Sequence, residues 1–386
     1  MSDTEFDAII LGQGLAGTTL AWALRWRGLR FLIVDRDVAG TSSRIAAGLM
    51  TPITGSRLVK TWRWDQFWQV ATEFYRRAED ELGTSFCFPN RLVRLIANAS
   101  EQAYLDRRIA SEFSGLVTRP QPLVDPRWFD DPLGGMEMIE GGRLNVAAYL
   151  LASRQRFTSD DQCVTADVDV NHDIELIPSG VRLPRLGLAA RRLIFCQGID
   201  GRGNSWFQHV RFNPAKGEIL TLRIAGLNEE RIVHRGVWLM PLGDGLFRAG
   251  ATYEWNDLNS VPTPAGRDEI CARLREFLRL PFEVIAHAAA VRPIVLHQYP
   301  VVGVHPHHQQ LAFFNGLGSK GALQAPWLAR HLAEFLFDGA LLDPDVGPRR
   351  YDANIQPSMI VRTSQADTGL SESATRKRDD SRGDTA

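Results

Sequence analysis

A chain of 386 residues, 44% hydrophobic and 23% charged, carries enough apolar material for two or three cored domains. Its formal net charge is -1, and the dense basic run Arg376-Lys377-Arg378 is followed at once by Asp379-Asp380. A nucleic-acid partner is therefore not expected, and a small or zwitterionic substrate suits the balance better. The acidic start lacks the form of a secretory signal, and no stretch approaches the roughly 18 apolar residues of a membrane span. Cys87, Cys163, Cys196 and Cys271 form no CxxC or Cys/His cluster, and the nine histidines show no metal spacing. No metal site, disulfide scaffold or membrane insertion is expected, and a reducing cytoplasm is the expected compartment.

In chain order, Phe6 to Leu11 reads as a buried strand, Leu15 to Arg27 as a helix and Arg30 to Val34 as a second strand. Asp65 to Leu82 is an amphipathic helix that Gly83 ends. Arg91 to Ile96 reads as a strand, Glu101 to Phe113 as a helix and Asn145 to Phe157 as another. Short strands follow between Val164 and Ile199, and 216–255 is strand-rich. Pro264 to Phe277 is a helix with proline at its start, and strands recur near 284–291 and 310–315. A last helix spans about Ala322 to Phe337, and 356–386 reads as a disordered tail. The pattern predicts an α/β chain: a doubly wound, Rossmann-like domain with an inserted, mostly antiparallel β domain. The expected cofactor domain is 1–80, 145–205 and 300–352, and the expected substrate domain is 81–144 and 206–299.

Gly12, Gly14 and Gly17 form G-x-G-x-x-G between a predicted strand and a predicted helix. Gly12 allows the tight turn, Gly14 lets the backbone approach a pyrophosphate, and Gly17 permits close helix–strand packing. Asp35 ends the next strand, where a carboxylate accepts from ribose hydroxyls. This predicts an adenine dinucleotide without separating FAD from NAD. Two further glycine-bearing strand ends, Phe195 to Gly201 and Phe313 to Gly321, favour FAD, a long cofactor held by several segments.

With these pieces the sequence resembles the D-amino-acid oxidase, glycine oxidase and sarcosine oxidase family of FAD enzymes, over roughly residues 5–352. The likeness rests on the fingerprint and Asp35, and on Ser42-Ser43-Arg44-Ile45-Ala46-Ala47-Gly48-Leu49. It continues through Lys216-Gly217-Glu218, Gly250-Ala251-Thr252, Val291-Arg292-Pro293 with Pro300 and Gly303, and the closing loop from Asn315 to Pro326. The closing loop is also similar to the FAD domain of a bacterial enzyme that modifies wobble uridine in tRNA, where a carboxymethyl group leaves a secondary amine. The expected cofactor contacts are Gly12, Gly14, Leu15, Ala16, Gly17, Asp35, Arg36, Ser43, Arg44, Ala47, Gly48, Leu49, Gly198, Gly316, Leu317, Gly318, Ser319, Lys320 and Gly321.

For the substrate, the resemblance implies that Arg292 holds a carboxylate, a task that suits a bidentate guanidinium. The alternative is a structural salt bridge. Lys320 matches a carboxylate-binding lysine of sarcosine oxidase, or is a solvent-exposed lysine beside a helix start. Tyr253 and Trp238 line the pocket or pack a core. Arg57 and Lys60 place positive charge near the flavin or serve the surface. Sarcosine oxidase has a flavin-linking cysteine about where Arg292 stands; none lies nearby here, so FAD is expected to be non-covalent. Glycine oxidase has a tyrosine where Trp238 falls and an arginine near Ser319, so its substrate preference does not carry over.

The expected reaction is oxidation of the C–N bond of an amino acid or secondary amine by hydride transfer to flavin, followed by imine hydrolysis and reoxidation by oxygen. The alternatives are a dehydrogenase serving a quinone or protein acceptor, an enzyme demodifying carboxymethylaminomethyl-uridine in tRNA, and a flavin-binding module without turnover. Self-association is left open.

Overall fold

The computed structural model describes residues 5–351. The tail expected to be disordered, 356–386, lies outside them. Phe6–Leu11 sits between Phe31–Asp35 and Leu188–Phe195, and Cys163–Thr165 extends the sheet beyond Phe31–Asp35, all in parallel. Leu311–Asn315 continues the parallel run beside the upper half of Leu188–Phe195, while Gly180–Leu183 pairs antiparallel with its lower half. Ala8 to Leu11 and Phe31 to Val34 are buried, as strands covered on both faces must be.

Helices Leu15–Arg25, Trp64–Leu82, Val146–Ser159 and Gly321–Phe337 pack one face of this sheet into a single apolar core. The aromatic run at 62–68 belongs to it: Trp64 and Phe67 are buried, and Trp62 leans on Phe67 and Tyr299. Gly83 closes its helix at φ +62°, as the sequence predicts.

The closing helix contains Pro326, which has no N–H to offer the carbonyl of Ala322 one turn back. The buried Tyr75 hydroxyl supplies the missing donor, at 2.8 Å from Ala322 O. One helix thus repairs the first turn of the other. The predicted helix at Glu101–Phe113 is shorter and earlier, Ala99–Arg108, because the Asn98 side chain accepts from Glu101 N and starts it there.

The second layer is an eight-stranded sheet. Its strands come in the order Glu283–Arg292, Ala215–Arg223, Leu246–Gly250, Val237–Gly243, Ile232–Arg235, Leu92–Leu95, Gly135–Met138 and Val117–Thr118. All neighbours are antiparallel except Ile232–Arg235 with Leu92–Leu95. Cys87–Pro89 and Gly142–Leu144, inside the expected substrate segments, pair instead with each other, and Gly142–Leu144 also pairs with Leu49–Met50.

Alternation along these strands divides the side chains. Val93, Leu220, Leu222, Val233, Leu239 and Ala249 bury one face against the helix Pro264–Arg275. Ile219, Trp238, Met240, Ile232, Leu92 and Met138 occupy the other. That second face looks toward the strand ends of the parallel sheet.

Candidate active site

A cavity of about 930 Å³ lies between the two sheets. It stands at the large end of the roughly 300–1,000 Å³ found for ligand sites. One end is built by the C-terminal ends of the parallel strands, where open α/β sheets bind ligands. Gly12 has φ +104°, and a side chain there would meet Cys196 O at 2.5 Å. Gly17 lies tighter still: an added Cβ would stand 1.9 Å from Gly12 O. The helix Leu15–Arg25 starts without a side-chain cap, so its first amides have no helical acceptors. Of these, Leu15 N donates to Ser43 Oγ at 3.0 Å. An uncapped helix start facing a cavity is an anion site.

Asp35 stands beside it. Its carboxylate accepts from Gln13 N and Asp37 N, both at 2.8 Å, and from Arg154 at 3.1 Å. Arg154 also reaches Gln13 Oε1, so it fixes both the loop and the acid. Arg248 donates to the carbonyls of Ile45 and Ala46, tying the 42–48 segment to the antiparallel sheet.

Nearly all the residues expected to contact a cofactor line this cavity. Three do not. Gly17 serves packing, as its clearance shows. Gly316, at φ +79°, turns toward Val295. Arg44 pairs with Asp37 and pulls that carboxyl below its usual range. Arg57 and Lys60 do not line the cavity either: Lys60 bonds Asp65 at 2.7 Å, and the carbonyl of Arg57 accepts from Arg108. Their neighbours Gly55, Ser56 and Thr61 face it.

The four residues expected at the substrate all line the cavity, with Trp238 three strands from Arg292 across the antiparallel sheet. Arg292 ends the edge strand of the antiparallel sheet. Its Nη1 donates to Lys216 O at 3.3 Å and Thr252 O at 3.2 Å, and its guanidinium lies 4.1 Å from the centre of the Tyr253 ring. Gly217 makes room for it, since a Cβ there would sit 2.1 Å from Nη2. Burial lowers its pKa, and no carboxylate pairs with it among the described residues. Tyr253 Oη is 2.7 Å from Ser319 Oγ.

Lys320 precedes the closing helix, whose start is likewise uncapped. Burial pushes its pKa down to about 8, and it makes no ion pair among the described residues. Trp238 is 9% exposed and packs over Gly250.

A further polar cluster lines the cavity without having been expected there. Arg94 and Glu101 form a buried ion pair at 2.5 Å, and Arg94 also meets His234. Screening histidines for metal spacing passes over His234. The Asn98-x-x-Glu101 spacing does carry a helix-start signal, and Glu101 also accepts from Ala97 N at 3.0 Å.

A sequence model described as FAD dependent oxidoreductase matches residues 7–335. The chain belongs to this family. Among curated relatives, it is 24% identical over 364 residues to the tRNA 5-methylaminomethyl-2-thiouridine biosynthesis bifunctional protein MnmC of Marinobacter nauticus, covering 84% of this chain and 54% of that protein. It thus spans about half the length of that relative. It is 22% identical over 350 residues to glycine oxidase of Bacillus licheniformis, covering 86% of this chain and 93% of that one. The crystal structure of glycine oxidase from Bacillus cereus superposes with a TM-score of 0.74 at 18% identity, over 87% of this chain and 96% of the other.

FAD is therefore the cofactor of this family member, and the cavity fits it. With Leu15 N held by Ser43, the helix start offers the Ala16 amide to a pyrophosphate, and Asp35 offers acceptors at the next strand end. The space continues from there to the face of the second sheet. Within the described residues no helix is long and apolar enough to cross a membrane, and no group of His, Cys, Asp and Glu is arranged to hold a metal ion.

Proposed function

We propose that this flavoenzyme oxidises the C–N bond of an amino acid or secondary amine of the glycine, sarcosine or D-amino-acid type, with Arg292 as the carboxylate anchor. One observation carries the reading: a desolvated guanidinium faces the cavity, braced by two carbonyls and an aromatic ring, and lacks a carboxylate partner among the described residues. A guanidinium held this way is complementary to a substrate carboxylate.

The Ala16 amide, with Asp35, Ser43 and Gly48, holds the dinucleotide in this reading, and Leu317 to Gly321 border its redox end. Bound FAD supplies a two-electron acceptor for the substrate's α-C–H. Arg292 fixes the carboxylate, and Tyr253, against its guanidinium, limits how the rest of the molecule lies. Lys320 is still mostly protonated near neutral pH and adds positive charge. No side chain is assigned as a base, so the amine enters neutral. The imine product hydrolyses in water, and dioxygen is the proposed final acceptor. Cys196, the cavity-lining cysteine among the described residues, sits beside Gly12 at the dinucleotide end, which supports non-covalent FAD. The cytoplasm is the proposed compartment.

A second reading is demodification of carboxymethylaminomethyl-uridine in tRNA. The similarity to MnmC over 84% of this chain favours it.

The test is anaerobic addition of amino acids and N-methylated amines to the holoenzyme. One amine class should bleach the flavin bands, and oxygen uptake separates an oxidase from a dehydrogenase. Arg292→Ala should keep FAD and raise KM for carboxylate-bearing amines about 10- to 100-fold, as expected for losing charge-assisted hydrogen bonds. An unchanged KM would sink the anchor.

A further inference from the structure

The cavity does not end at Arg292. Its wall runs along the antiparallel sheet past Gly217, Ile219 and Gly250 to Trp238 and His234, three and four strands away. At about 4.8 Å per strand, the strand of His234 lies about 19 Å across the sheet from that of Arg292. Glycine or sarcosine anchored at Arg292 leaves that end untouched.

The polar groups there form a fixed array. Arg94 and Glu101 are 6% and 4% exposed. Arg94 Nη2 donates to Glu101 Oε1, and Arg94 Nη1 lies 2.7 Å from His234 Nδ1. A guanidinium only donates. His234 Nδ1 must therefore accept, and the single proton of the neutral ring sits on Nε2. A second proton is resisted: burial, and then the charge of Arg94, hold the His234 pKa well below its ordinary value. Nε2–H has no hydrogen-bond partner among the described residues, and the ring borders the cavity. Glu101 balances the charge of Arg94, so this end presents one oriented neutral donor rather than a cation.

We infer that His234 Nε2–H is a substrate-recognition donor for an uncharged carbonyl at the far end of a long substituent. The substrate is then an extended amino acid or N-substituted glycine with a distal amide-type carbonyl. Arg94 and Glu101 are positioning residues: they select the tautomer and aim it. The inference rests on the amine-oxidation reading for the carboxylate at Arg292, and the test separates the two.

Holoenzyme is titrated with straight-chain alkanoates of increasing length and with ω-carbamoyl alkanoates of matching length, reading the flavin difference spectrum. Short pairs should bind alike. At one longer length the carbamoyl acid should bind about 5- to 10-fold tighter, the size of one net hydrogen bond. His234→Phe should remove that preference while leaving FAD content and acetate binding unchanged, and His234→Gln, which keeps a donor, should retain part of it. No preference at any length, or a preference that survives His234→Phe, overturns the inference. So does an altered flavin spectrum in unliganded His234→Phe, which would put the ring against the cofactor. Arg292→Ala should weaken both series at every length. If it binds both as the native protein does, the carboxylate anchor fails on its own, independently of the His234 contrast.

Discussion

Gly14 and Gly17 lie three residues apart in one motif, yet the structure gives them different work, and two alanine substitutions separate it. At Gly17 an added Cβ would stand 1.9 Å from Gly12 O, a backbone atom that no rotamer change can move. Restoring even 3.0 Å requires the helix to retreat from the strand by about 1.1 Å. Overpacking of this kind costs about 1–3 kcal/mol, and the better helix propensity of alanine returns only about 1 kcal/mol. Backbone against backbone places the cost at the upper end, so a net loss of about 2 kcal/mol is expected. The Ala16 amide, and Leu15 N with its bond to Ser43, would move with the helix.

At Gly14 the same Cβ meets only the Ser43 side chain, its Oγ at 3.2 Å, and φ is -77°, which any residue adopts. Gly14→Ala should therefore leave the apoprotein as stable as the native one and lose FAD affinity alone, because the methyl occupies the approach of the pyrophosphate. The assay is thermal unfolding of both apoproteins together with FAD-to-protein stoichiometry from absorbance. Gly17→Ala with native stability, or Gly14→Ala with native FAD affinity, would refute the division of labour.

Lys320 loses its charge as pH rises through about 8, because burial lowers its pKa. The kcat/KM of a carboxylate-bearing amine should carry a limb that falls above that pH, absent in Lys320→Met and shifted upward in Lys320→Arg. Tyr75→Phe strips Ala322 O of its donor, and an unsatisfied buried carbonyl costs about 1–3 kcal/mol. In a Pro326→Ala background, where a backbone N–H returns, the same substitution should cost little in thermal unfolding, and an equal cost in both backgrounds would refute the repair.

How much of this was legible in the sequence follows from how far each signal reaches along the chain. The strand–glycine–helix–strand–acid unit spans residues 6 to 35, and its parts interpret one another: Gln13 N bonds Asp35 across 22 residues. Gly83 and Asn145 act within one turn of the helices they border. Such signals are local, and they predicted both the elements and the cofactor end of the cavity. Arg44 shows where a local reading stops. It lies in the matching segment, but seven residues back Asp37 offers a carboxylate, and the side chain goes there.

The far wall was hidden for a different reason. Arg94 and His234 are 140 residues apart and meet because Leu92–Leu95 and Ile232–Arg235 pair in parallel within an otherwise antiparallel sheet. Neither strand's alternation announces that partner. Trp238 joins the same face because it stands opposite His234 across the next antiparallel pair. A histidine read alone is a titratable ring, whereas one fixed by a buried arginine is an oriented donor. That change of role is created by strand register, and the extent of the substrate wall is created with it.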